Sequence, residues 1–309
     1  MILEPRQQAL MQLLWREGRL SRWELHEQSG LTPNGAGTVA ASLVAAGLIR
    51  PCAAEPSRGG RPRIPMEIDT ITRHVVGLAL KPGQVEVGRL NLAGQLVGRV
   101  EERAVAQPAR LVATAASALK AVVGRGTLAI GATVTGFVSS DARALLLSSA
   151  VPGQSGVSLA PIYTAAAHTP IVLENDMHAL AARWLLTHRA GSFEDVLLAR
   201  LSDGRVGSAM LIGGRPNRGC VMAANELGHT RLPVETERCY CGQHGCIERI
   251  CSSEFLNRCG GTKQRTLRDA VERFETRDPA LEQILDYLAL ALANTVNFVR
   301  PHRLVLVSE

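Results

Sequence analysis

The sequence predicts an α/β protein in two parts. A winged helix-turn-helix spans residues 1–70, and a larger α/β domain spans residues 71–309. Three observations predict this. The first seventy residues hold three short helical stretches with start and stop signals, then a strand, a loop and a strand. Beyond them, apolar strand-like runs alternate with stretches of helical periodicity. Near the end, one His and three Cys fall close together, where a metal can stiffen the second part.

The elements follow in order. Residues 5–17 read as an amphipathic helix, with Ala9, Leu10, Leu13 and Leu14 at helical spacing. Ser21-Arg22-Trp23-Glu24 is a capping box that starts a second helix, which Gly30 ends. Thr32 is the N-cap of a third helix, with Pro33 in its first turn. Val39, Leu43 and Val44 give it an apolar face, and Gly47 stops it. Two helices, a tight turn and a third helix make a helix-turn-helix. Leu48 through Ile68 then reads as a wing around the loop Ser57-Arg58-Gly59-Gly60-Arg61-Pro62-Arg63.

Such a head binds double-stranded DNA with the N-terminal end of its third helix in the major groove. Asn34, Thr38 and Ser42 would then reach base edges or phosphates, and Arg58, Arg61 and Arg63 phosphates or the minor groove. Residues 1–63 carry eight Arg, no Lys and five Glu, a net charge of +3. The competing reading is a head used for protein contacts or dimerisation. Asn34-Gly35-Ala36-Gly37 offers few long side chains, so the wing is expected to carry more of the affinity.

Residues 75–99 read as two strands joined at Lys81-Pro82-Gly83. Ile171 through Asp176 reads as a buried strand ending in polar residues. Ligands of open α/β sheets bind beyond such carboxyl ends. Asn175 and Asp176 either meet a ligand there or cap the next helix. Residues 281–299 read as a long helix, with Leu281, Leu285, Leu288, Leu292 and Val296 at helical spacing, and Leu304–Val307 as a strand.

The stretch richest in chemistry is Glu226-Leu227-Gly228-His229, followed by Cys239-Tyr240-Cys241-Gly242-Gln243-His244-Gly245-Cys246-Ile247-Glu248. Three thiolates (Cys239, Cys241, Cys246) and the His229 imidazole fill a tetrahedral shell with no open position, the arrangement of a structural Zn2+. The chain has seven cysteines, an odd count, and no secretory signal, which disfavours a disulfide framework. Glu226 and Glu248 flank the ligands and bring acceptors for a polyhydroxylated ligand.

This stretch matches Glu-x-Gly-His and Cys-x-Cys-Gly-x-x-Gly-Cys-x-Glu at every position and resembles the signature of the ROK family (repressors, open reading frames, kinases). The resemblance runs from about residue 5 to the last residue. It implies a two-lobed actin-like (sugar kinase-like) domain, with lobe 1 at about 71–170 and lobe 2 at about 171–309. It implies a small sugar or sugar phosphate held by Asn175, Asp176, Glu226, His229 and Glu248, with Gly136 and Ser149 from neighbouring loops. The Gly60-Arg61-Pro62 after the head is similar to the repressor branch. The expectation is a sugar-responsive DNA-binding regulator, a repressor acting on operator DNA as a homodimer or higher homo-oligomer. The alternative is a sugar kinase with an added DNA-binding head. Kinases of the superfamily carry Asp-x-Gly-x-Thr in the first hairpin. Here Ala79 and Lys81 stand where the Asp and Gly would be. The second phosphate loop, Leu201–Ser208, keeps Gly204 and Gly207 but adds Asp203. No catalysis is therefore expected. Family members continue beyond this chain's last residue, so the resemblance implies truncation at the C-terminus.

Apolar residues make up 46% of the chain and charged residues 20%, with a net charge of +6. That is ordinary globular composition. No apolar run is long enough to span a bilayer, and a cytoplasmic protein is expected.

Overall fold

A computed structural model describes residues 3–54, 63–139, 141, 143–152, 154–188, 194–219, 224–260, 265–272 and 278–308. In chain order its elements begin with α1 (Pro5–Glu17), β1 (Leu20–Ser21), α2 (Arg22–Ser29), α3 (Pro33–Ala45), β2 (Ile49–Pro51) and β3 (Pro65–Ile68). Next come β4 (His74–Lys81), β5 (Gln84–Asn91), β6 (Leu96–Ala104), α4 (Leu111–Val122) and β7 (Thr127–Val134). Then follow β8 (Phe137–Ser139), β9 (Ala144–Leu147), β10 (Val157–Ser158), α5 (Ala160–Ala165), β11 (Ile171–Asn175) and α6 (Asp176–Thr187). The chain continues through β12 (Val196–Ser202), β13 (Arg205–Ile212), β14 (Arg215–Pro216), α7 (Ile247–Ile250), α8 (Ser253–Gly260), α9 (Leu267–Glu272), α10 (Pro279–Val299) and β15 (Arg303–Ser308).

These elements form two compact units. The first comprises Met1–Val134, Ser158–Glu174 and Leu186–Arg189; the second comprises Thr135–Val157, Asn175–Leu185 and Ala190–Glu309.

In the first unit, the head is α1–α3 with an antiparallel sheet of order β1-β3-β2. Its boundaries follow local chemistry. The Ser21 hydroxyl accepts from the Glu24 amide at 3.3 Å and the Glu24 carboxylate accepts from the Ser21 amide at 2.7 Å, closing the expected box. The Thr32 hydroxyl accepts from the Gly35 amide at 3.2 Å and starts α3. The third helix buries Ala36, Ala40 and Leu43, whereas Val44, expected on that face, lies 37% exposed. The face turns by small residues that a hydrophobicity count overlooks.

The head also packs on the rest of its unit. Leu92 and Leu128 join the cluster built on Leu10, Leu14, Leu25 and Leu43, and the Trp15 indole donates to the Leu92 carbonyl at 2.9 Å. The unit's larger sheet has order β11-β7-β4-β5-β6, with β4 parallel to β7 and antiparallel to β5. The stretch read as two strands over 75–99 is broken by a turn at Asn91–Gln95, where Asn91 accepts from the Ala93 and Gln95 amides at 3.0 Å each. In β11, Val172 is 64% exposed, so only the strand's C-terminal half is buried as expected.

In the second unit a sheet of order β14-β13-β12-β15 pairs β12 antiparallel with β13 and parallel with β15. Apolar residues of α7, α8 and α10 pack with Ala199, Val206 and Leu227 in one cluster, and α6 packs through Met177, Ala181 and Trp184 in another. Among the described residues no helix is long and apolar enough to cross a membrane.

Candidate metal centre and ligand site

The residues from Glu226 to Glu248 are held mostly by backbone turns. Asn225 takes a left-handed φ of 68°; its Oδ1 accepts from the Asn217 side-chain amide at 3.3 Å and its own side-chain amide donates to the Asn217 backbone carbonyl at 2.7 Å. The Ser208 hydroxyl of β13 donates to the Asn225 carbonyl and accepts from the Leu227 amide. A single 3-10 turn, Leu227–His229, then lies against β13. A Cβ on Gly228 would stand 2.0 Å from the Val206 carbonyl oxygen, so only glycine admits this approach. The closeness of that turn to β13 places Glu226 and His229.

His229, Cys239, Cys241 and Cys246 meet as expected, with their ligand atoms all within 4.8 Å of one another. The His229 Nδ1 lies 3.6 Å from Cys239 Sγ, and Cys241 Sγ lies 3.7 Å from Cys246 Sγ. A tetrahedral shell with zinc-length bonds has edges of about 3.6–3.8 Å. A disulfide would be far shorter. Cys239 and Cys246 are buried. Burial and the neighbouring Cys239 and Cys241 push the Cys246 thiol well above its ordinary range. A bound cation reverses that preference by favouring thiolates. The set fits a metal ion.

Beside it lies a group of carboxylates. Glu248 is buried and sits close enough to Gly228 that an added Cβ would meet its Oε2 at 3.1 Å. Burial raises the Glu248 carboxyl to about 7, opposed by Arg249, the Val206 amide and Arg205. Burial, reinforced by Glu248 and then Asp176, raises Glu226 to about 7. Three acidic groups therefore share one neighbourhood. Such a place suits hydroxyl donors, which satisfy carboxylates without adding charge.

The remaining expected site residues divide. Asp176 opens α6, and its Oδ2 takes the Arg200 guanidinium at 2.5 Å and the Thr135 hydroxyl at 3.5 Å. Asn175 makes bonds within the chain. Its amide donates to the Gly136 carbonyl at 2.9 Å and its Oδ1 accepts from the Met177 and His178 amides, which makes it the cap of α6. Gly136 serves that tie through its carbonyl and lies so close to Leu147 that a Cβ would meet the carbonyl oxygen at 2.2 Å. Ser149 is half-buried, while the neighbouring Ser148 is the one that bonds the Thr135 carbonyl. In the head, Asn34, Thr38 and Ser42 are all exposed on α3, and Ser42 also accepts from Gln7 at 3.1 Å. Arg63 is exposed; Arg58 and Arg61 lie outside the described residues.

Two residues of the site escaped the sequence reading. Tyr240, between two metal-ligand cysteines, places its hydroxyl 2.8 Å from His229 Nε2. Arg200 pairs with Asp176. Its signal was present, as a charge inside the apolar run Val196-Leu197-Leu198-Ala199-Arg200-Leu201.

At the two turns that the resemblance led us to expect as phosphate loops, side chains pair within the chain. Lys81 Nζ lies 2.7 Å from Glu86 Oε1. Asp203 accepts from the Ser253 amide at 2.6 Å and from its hydroxyl, at the start of α8.

Comparison with known proteins places this geometry. The DNA-binding transcriptional dual regulator NagC of Escherichia coli K12 is 23% identical over 336 residues, spanning 97% of this chain and 79% of that protein. An N-acetyl-D-glucosamine kinase of Shigella boydii is 28% identical over 199 residues, spanning 59% of this chain and 64% of the kinase. A solved ROK family transcriptional regulator, a homolog of the E. coli MLC protein, superposes with a TM-score of 0.76 at 21% identity over 97% of this chain and 83% of that one. The fold is thus the actin-like, sugar kinase type expected. The model of the ROK family matches residues 91–309, and the chain belongs to that family.

Proposed function

We propose that the chain is a sugar-responsive transcriptional regulator, a repressor that binds double-stranded operator DNA through residues 1–70 and a small sugar or sugar phosphate through residues 71–309. The observation that carries this reading is the pairing, on one chain, of a three-helix head with a carboxylate cluster beside a closed Cys3His set. The likeness to NagC over 97% of the chain supports it, because it spans both parts. In this reading Asn34, Thr38, Ser42, Arg58, Arg61 and Arg63 face DNA. Asn175, Asp176, Glu226, His229 and Glu248 contact the sugar hydroxyls, with Gly136 and Ser149 from neighbouring loops. Zn2+ is the structural cofactor at His229, Cys239, Cys241 and Cys246. The protein acts in the cytoplasm as a homodimer or higher homo-oligomer, since helix-turn-helix regulators meet two half-sites.

Sensing rather than catalysis follows from the charges. A general base must be free to take a proton. Asp176 instead holds a guanidinium at 2.5 Å. Ala79 cannot hold magnesium, and Asp203 puts a carboxylate where a phosphate would sit. The kinase alternative keeps the support of the kinase relative. Sugar-dependent ATP turnover that disappears in Asp176→Asn would establish it.

The test of the main reading is a thermal-shift screen with sugars and sugar phosphates, followed by operator binding with and without the best ligand. A ligand at one hundred times its dissociation constant adds about 2.7 kcal/mol. The expected result is a change in operator affinity worth about 1–3 kcal/mol, lost in Asp176→Ala. A ligand that binds yet leaves operator affinity unchanged would make the chain a sugar binder and not a sensor.

A further inference from the structure

We propose that Trp15 and the Asn91–Gln95 turn form the joint through which a bound ligand changes the head's hold on DNA. The proposal rests on the regulator reading above and names its route.

The joint is built inside the first unit. Trp15 lies near the C-terminal end of α1, and its indole N–H donates to the Leu92 carbonyl at 2.9 Å. The turn that offers this carbonyl holds its own shape. The Asn91 amide donates to the Gln95 carbonyl, and the Gly94 amide to the Asn91 carbonyl, each at 2.9 Å. Asn91 is buried, and its side chain accepts from the Ala93 and Gln95 amides and donates to Gln95 Oε1. Gly94 takes a left-handed φ of 79°, and a Cβ there would stand 2.8 Å from Trp15 Cζ2. The indole thus rests directly on the backbone of the turn.

From Trp15 the contact runs through the head. The same helix buries Leu10, Leu13 and Leu14 in the cluster that holds Leu43 of α3, and its Gln7 donates to the Ser42 hydroxyl at 3.1 Å. Ser42 belongs to the set read above as facing DNA. In the other direction, the turn ends β5, which pairs with β4, and β4 pairs with β7. Near the start of β7, Leu128 packs against the head's cluster. After its last residue comes Thr135, whose hydroxyl donates to Asp176 Oδ2 at 3.5 Å and whose carbonyl accepts from Ser148. One sheet therefore carries Leu92 and Leu128 at the head, and β7 runs on into a residue that bonds a proposed sugar contact.

A ligand moves an equilibrium only through interactions that differ between two states. A head joined by residues 69–73 alone would share no such interaction with the ligand-binding part. The Trp15 bond and its fit on Gly94 supply one. When a ligand at Asp176 displaces Thr135 and β7, the paired strands take the turn with them, and Trp15 takes α1 and α3.

The test uses the full zinc-loaded chain as wild type, Trp15→Phe and Gly94→Ala. The first variant removes the indole donor from the head. The second sets a methyl group against the ring from the turn, so two independent changes strike one joint. Sugar affinity is measured, with operator affinity in the absence and presence of the best thermal-shift ligand. The Trp15 indole N–H is followed by NMR, assigned by its absence in Trp15→Phe. In the wild type the ligand should change operator affinity about 5- to 150-fold and displace the indole signal. Both variants should bind the sugar and the ligand-free operator as the wild type does. Their response to the ligand should shrink by about 2- to 30-fold. A full response in both variants overturns the proposal, and so does an indole signal that the ligand leaves in place. Loss of melting temperature and ligand-free operator binding in both variants would make Trp15 a structural prop and overturn it too. If no sugar raises the wild type's melting temperature or changes its operator affinity, the regulator reading falls and this proposal with it. A sugar that changes operator affinity without moving the indole sinks the joint alone.

Discussion

The head and the segment around the metal cluster are ordered by different means. In the head, Leu10, Leu14, Leu25, Leu43 and Ile49 are each no more than 1% exposed, on three helices and a small sheet. Between Thr230 and Gly245 there is no helix, and the only sheet-like contact is a lone bridge at Arg231. That stretch is held by backbone turns and by bonds such as the Gly245 amide to the Thr236 hydroxyl at 2.8 Å, and it brings His229, Cys239, Cys241 and Cys246 together. The head's order comes from apolar surface removed from water, which needs no bound ion. On the proposed reading, the other region's order would depend on a bound cation, whose binding free energy is also folding free energy.

The sharpest way to break this contrast is to remove the metal. In small zinc domains the apparent binding free energy is about 10–16 kcal/mol near neutral pH. Cys241→Ser should lose about one zinc per chain and all protection of residues 226–248 in hydrogen exchange. The head's protection should stay unchanged in the same sample. Full protection of 226–248 without metal would remove the cluster's structural role.

The reverse experiment truncates the head. Leu43→Ala empties a fully buried position on α3 and should cost about 2–5 kcal/mol. Its zinc content should match the wild type. A loss of zinc in that variant would show that the two regions fold as one, and the contrast would be wrong.

Both regions were legible in the sequence where their chemistry is local. Ser21 with Glu24, and Thr32 with Gly35, announced their helices because capping is local and uses specific residue types. The Cys and His set was legible for the same reason: its spacing is short and its chemistry narrow. Contacts across long separations were not. Asn175 and Asp176 are neighbours with interchangeable chemistry. Only the fold assigns one to capping α6 and the other to Arg200, twenty-four residues on. Tyr240 was hidden because a residue between two ligands has no pattern of its own. Val44 was misplaced because Ala36 and Ala40 carry the buried face of α3.

A smaller effect separates the head's two possible duties. If the head binds DNA, replacing Arg58, Arg61 and Arg63 with Ala should weaken operator and non-operator binding alike. For each phosphate that an arginine no longer neutralises, the slope of log affinity against log salt should flatten by about 0.9. An unchanged slope would take the wing out of the interface and favour a head used for protein contacts.

The smallest effect concerns acid, and it sharpens the comparison because the two regions should fail at different pH. Glu67 on β3 lies between Arg19 and Arg50, each at 2.7 Å. The Arg19 guanidinium, with Arg50 and Cys52 adding to it against the penalty of burial, holds the Glu67 carboxyl below its usual value. A folded-state pKa below the unfolded one means stability that is present above about pH 4.3 and lost as pH falls through the folded value. Both arginines are largely exposed, with 67% and 42% of their side chains accessible, so the pairs are worth at most about 1 kcal/mol. Glu67→Gln should therefore lower the head's stability slightly at neutral pH and flatten its decline below about pH 4.3. For the segment around the Cys3His set, the proposed zinc would bring a different sensitivity to acid. Protons compete with the metal for its thiolates, so it should release zinc and lose exchange protection at a higher pH than the head begins to weaken. Measuring zinc release and head protection along one acid titration decides the matter. If both change at the same pH, in wild type and in Glu67→Gln alike, then acid reaches the head through the metal cluster and the two regions do not hold themselves separately.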